Sequence, residues 1–193
     1  MLVVSVWEGT LLAAADYTKA QRVSFTALIS ALCVAIMSVS RIVPIGIYAL
    51  PPVCSVFIMI ILIEFGVKWA LGSFVVSALL SAIFANPESS MVYIVFFGYY
   101  PIAKMYLERI NNLVLKWIAK VILFNAVIVS GYLVLNFVVP VIEEFFTQGK
   151  LIFIFIIIAA QIMFVMYDVC ISKLSVTYFQ KYHSVIRKIL KKQ

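Results

Sequence analysis

Most of the side chains in this chain that can do chemistry stand inside or beside long apolar runs. Arg41, Tyr48, Asn86, Glu88, Tyr93, Tyr132 and Asn136 form the set whose types and placement fit recognition of a small molecule. Aromatic walls with a few converging polar groups describe a ligand pocket. Tyrosine at the end of an apolar run is equally an anchor at a membrane–water interface. Taken one at a time, each tyrosine reads as an anchor. Taken as a set, anchor and pocket wall stand level. Arg41 is singled out, because a guanidinium can pair with a ligand carboxylate or phosphate, or with Glu88.

Further polar groups recur at helical spacing. Asn125, Tyr132 and Asn136 fall on one face of their apolar run, as do Tyr93, Phe97 and Tyr100 of theirs, and Gln161 and Asp168 stand seven apart. Polar groups at membrane depth are costly and face other protein. Hydrogen bonding between helices accounts for Asn125 and Asp168.

Catalytic chemistry finds no such support. The sequence has no Ser/His/Asp set, no HExxH and no Walker motif. Cys33, Cys54 and Cys170 lie in or beside apolar runs, with neither disulfide nor metal spacing. The single histidine, His183, sits in a basic tail. The expectation is a protein that is not an enzyme, with no cofactor and no metal. Uphill transport would have to draw its energy from a partner or an ion gradient.

The elements that must position these residues are membrane helices. The chain has 193 residues, of which 65% are hydrophobic and 12% charged. An ordinary soluble domain is about 45–50% apolar and about 25% charged. Mean hydropathy is +1.15. The fold expected is all-α: a polytopic membrane protein, a six-transmembrane-helix bundle. The spans run approximately over residues 23–40, 52–65, 67–84, 91–107, 117–139 and 151–171, and the proline-rich segment 43–52 reads as a re-entrant or lid-like loop. Pro101 is expected to kink the fourth span. Residues 1–22 form an N-terminal cytoplasmic or interfacial segment, 23–172 the substrate-binding bundle, and 173–193 a basic cytoplasmic tail.

Charge sets the topology. With six spans, every Lys and Arg except Arg41 and Lys150 falls on one side, which the positive-inside rule makes cytoplasmic, together with both termini. The net charge of +7 is then a rim facing anionic lipid or acidic partners. Nucleic acid is not an expected partner, since no separate domain exists to bind it.

Ala27, Ala31 and Ala35 stand four apart in the first span. That spacing keeps small residues on one helix face. In lipid, helices associate by close backbone approach, which small residues permit. Spacing alone leaves two readings: packing inside the bundle, or a docking face for another subunit.

With six spans, both ends inside, and this alanine repeat, the chain resembles the substrate-binding S-components of energy-coupling factor (ECF) transporters. The Pro-rich loop into Leu50-Pro51, the short second helix and the turn Glu64-Phe65-Gly66-Val67-Lys68 extend the resemblance, although Val67 stands where the family usually has proline. The resemblance implies a multi-pass protein of a bacterial plasma membrane that captures a vitamin or related micronutrient from outside. It also implies partners: a transmembrane coupling subunit, on which Ala27, Ala31 and Ala35 would dock, and two ABC ATPases. No motif identifies the substrate. The alternatives are a membrane scaffold of the MreD cell-shape type, needing no pocket, and a stand-alone secondary carrier.

Overall fold

The computed structural model describes residues 17–43, 46–138 and 150–181. Among them the protein is all-α, with no strand. The helices are α1 (Lys19–Val39), α2 (Gly46–Phe65), α3 (Val67–Phe84), α4 (Pro87–Val92), a π-helical turn (Tyr93–Phe97), α5 (Tyr100–Leu107), α6 (Leu113–Val138) and α7 (Lys150–Lys181). Among the described residues, α1, α2, α3, α6 and α7 are long and apolar enough to cross a membrane. The protein is an all-α membrane protein.

Local sequence explains the helix starts. Thr18 accepts from the Gln21 N–H, and the Gln21 side chain accepts from the Thr18 N–H, a reciprocal capping box that begins α1 several residues before the apolar run. Gly46 begins α2 six residues ahead of the expected start, with Pro51 and Pro52 inside it. Both lie past the first turn, so each removes one i→i−4 bond, and the helix nonetheless continues through them. The proline-rich segment is therefore largely helix rather than loop. Gly66 turns the chain from α2 to α3 at φ 86°, where a side chain is strained.

The expected fourth span arrives in pieces. The Gly98 N–H bonds the Tyr93 carbonyl at 2.7 Å, the wide hydrogen-bonded turn of a π-bulge. The helix breaks at Gly98-Tyr99, and Pro101 then serves the first turn of α5. A Cβ on Gly98 would lie 2.3 Å from the Phe74 ring of α3, so only glycine allows that approach.

The residues divide into two units: Met1–Arg109 with Ile171–Gln193, and Ile110–Cys170. In the first, α2 is the central helix, with Cys54, Ile58, Ile61, Leu62, Ile63 and Glu64 fully buried. Cys33 of α1 and Cys54 of α2 point their thiols at each other's backbone carbonyls, at 3.8 and 3.6 Å. Ser73, Ser77 and Ser81 form a buried ridge on α3. Ser30 donates to the Thr26 carbonyl at 2.8 Å and lies 2.6 Å from the Ser73 hydroxyl, tying α1 to α3. In the second unit α6 and α7 run antiparallel. Lys120 pairs with Asp168 at 2.8 Å, Asn125 accepts from Gln161 at 3.0 Å, and Phe124 stacks on Phe164 at 4.3 Å.

Candidate functional site

The alanine stripe lies on the open side of α1. Thr26, Ile29, Ser30, Cys33 and Met37 form the buried face of that helix. Ala27, Ala31 and Ala35 are exposed. Within the unit, then, the stripe is not the face that packs on α2 and α3. Beside it, α1 and α3 leave a groove of about 670 Å³. Ala27 and Ala31 line one wall, and Trp69, Gly72 and Val76 line the other. The Ser30–Ser73 pair belongs to the same lining. Lys68 stands at the end where α1 and α3 both begin. Gly72 meets nothing that a Cβ would touch within 4 Å, so the groove is open at its centre.

The outer set is arranged differently. Arg41 donates from Nε to the Ala85 carbonyl at 3.0 Å and from an NH2 nitrogen to the Ile83 carbonyl at 2.9 Å. A cation here satisfies carbonyls that a helix end leaves open, and it meets the negative end of the α3 dipole. Asn86 accepts from the Glu88 N–H at 3.0 Å and so caps α4, while its own N–H donates to the Ser40 hydroxyl at 3.1 Å. Glu88 is exposed. Tyr48 is 65% exposed, as an interface anchor would be. Tyr93 is fully buried, its hydroxyl 2.8 Å from that of Ser77 and its ring edge-on to Phe74. Arg41, Ser40, Ala85 and Asn86 are thus brought together by hydrogen bonds that close the α1 and α3 ends. Tyr132 and Asn136 fall in α6, and their side chains lie outside the described residues. The same is true of residues 1–16 and of residues 182–193, which include His183.

One polar cluster was not singled out from the sequence, and a second was foreseen only in part, as hydrogen bonding between helices at Asn125 and Asp168. Glu64, fully buried at the end of α2, accepts from the Tyr17 hydroxyl at 3.0 Å and from the Tyr178 hydroxyl at 2.8 Å. Tyr17 also meets Phe65 edge-on at 5.2 Å, and Phe25 does so at 5.4 Å. Lys120 is buried against Asp168, each side chain about 3% exposed. A signal for the second cluster was present. Lys120, Phe124 and Asn125 ascend one helix as Asp168, Phe164 and Gln161 descend the other, the register of an antiparallel pair. Glu64 gave no comparable signal, because its partners are 47 and 114 residues away.

The chain matches no known protein-family model, no curated protein and no solved structure.

Proposed function

We propose that this protein is the membrane-embedded substrate-binding subunit of an ECF-type importer. It captures a vitamin or related micronutrient outside a bacterial plasma membrane and docks through α1 on a transmembrane coupling subunit that carries two ABC ATPases. It is not itself an enzyme. The observation that carries the reading is the exposure of Ala27, Ala31 and Ala35 on a helix whose other face is buried. Small residues facing lipid offer another helix close backbone approach, whereas a helix needing only lipid contact has no use for them in register.

The test has two arms. Ala31→Leu is expected to abolish co-purification with a coupling subunit while leaving the folded yield unchanged, since Ala31 faces outward. Mass spectrometry of the purified protein, challenged with a panel of vitamins, is expected to find one that binds. Binding to none of the panel would sink the capture role, and undiminished co-purification of Ala31→Leu would sink the docking face.

One observation favours a second reading. Arg41, Asn86 and Tyr93 make hydrogen bonds within the helix assembly. A cell-shape scaffold of the MreD type needs no ligand pocket and is compatible with such use. A vitamin retained through purification would exclude it.

A further inference from the structure

The α1–α3 groove has a chemical gradient along it. Lys68 and Trp69 stand at one end, with Val23 of α1. From there the lining becomes wholly apolar or small through Gly72 and Val76 to Leu80. From Lys68 to Leu80 is twelve residues along α3, or about 18 Å at the helical rise. That is close to one leaflet of a hydrocarbon core, about 15 Å, and well short of the about 30 Å that a spanning helix occupies. A cation and an indole at the interface, followed by an apolar furrow one leaflet deep, match the parts of a phospholipid in order. Basic residues at a membrane surface attract anionic headgroups, and tryptophan settles at headgroup level.

Two further observations point to an occupant. Gly72 is not required by the packing of this chain, for a Cβ there would touch nothing within 4 Å. Thr26, on the opposite wall and only 9% exposed, has a hydroxyl with no hydrogen-bond partner in the protein. Buried hydroxyls ordinarily find one.

We infer that the groove between α1 and α3 is a binding site for one anionic phospholipid. Its phosphate pairs with Lys68, and one acyl chain lies along Gly72, Val76 and Leu80. A lipid ester carbonyl supplies the acceptor for Thr26. The site concerns the chain on its own and does not depend on the docking reading, although a subunit seated on Ala27 and Ala31 would have to share or displace the lipid.

The test uses the full chain in nanodiscs and by native mass spectrometry. Phosphatidylglycerol is compared with phosphatidylcholine at equal acyl composition. One phosphatidylglycerol is expected to survive detergent washing, and Lys68→Ala is expected to reduce its retention about fivefold, the worth of one interfacial lysine. Gly72→Leu, which fills the furrow, is expected to expel the lipid while the protein keeps its melting temperature. Should that variant fail to fold, Trp69 fluorescence decides. Brominated phosphatidylglycerol is expected to quench it more strongly than the brominated choline lipid, with Trp69→Phe as the background. Equal retention of the two lipids, or a lipid that survives in folded Gly72→Leu, overturns the proposal. So does a dimer that Gly72→Leu converts to a monomer, which would make the groove a contact between two copies.

Discussion

Lys120 and Asp168 show how the membrane changes what a side chain is for. Both are ordinarily solvent residues, yet they meet at 2.8 Å with about 3% of each exposed. Desolvating two charges is expensive, and the pair recovers that cost only while both members are present. Lys120→Met is therefore expected to destabilise the protein by about 3–5 kcal/mol, because it strands a buried carboxylate. Lys120→Met with Asp168→Leu should regain most of that loss. Thermal unfolding of the three variants in detergent checks it, and a double variant as unstable as the single one would show that the pair is not the source. Arg41 makes the complementary point. The sequence marked it as a ligand-binding cation, and the fold aims it at two carbonyls at the end of α3. Nothing in residue type separates those uses. Only the position of a helix end does.

At the scale of elements, the sequence was most legible where composition changes sharply. The bounds of α3 follow directly from the apolar run between Gly66 and the Asn86-Pro87 turn. Prolines misled, because Pro51 and Pro52 sit within the early part of α2 rather than in a loop. The basic tail at Lys173 begins while the last helix is still running. Polar residues there do not end α7, which continues to Lys181 and buries Ser175 and Tyr178. Helix geometry does not stop at the edge of the lipid. Gly66 is the clearest single determinant of the α2–α3 hairpin. Its φ of 86° is open to glycine, and a Cβ there would meet no neighbour within 4 Å. Gly66→Ala thus isolates backbone strain from packing, and should cost about 1–3 kcal/mol. A melting temperature unchanged from the parent would contradict that.

On the scale of the molecule, burial of Glu64 joins residues far apart in sequence. Tyr17 precedes α1, Glu64 ends α2, and Tyr178 lies near the end of α7, yet the two hydroxyls converge on one carboxylate. Contacts over such separations are invisible to periodicity, which is why the sequence pointed to a turn and not to a clamp. Tyr178→Phe removes one donor and leaves the ring, so the loss expected is that of one hydrogen bond to a charged or polar buried group, about 1–3 kcal/mol. Limited proteolysis should also cut sooner near the end of α7. Unchanged cleavage and stability would mean that Tyr178 is held by packing alone. The candidate site divides along the same line. The exposed alanine stripe was readable from spacing. The groove beside it was not, because it depends on how α1 and α3 register through Ser30 and Ser73.

The facing thiols of Cys33 and Cys54 give the protein a built-in reporter. Both are fully buried, each against the other's carbonyl, whereas Cys170 is exposed. An alkylating reagent that partitions into the bilayer therefore meets one thiol in the intact protein and three once α1 has come away from α2. The number of mass additions counts that separation directly, in the unmodified sequence and in whatever membrane the protein occupies.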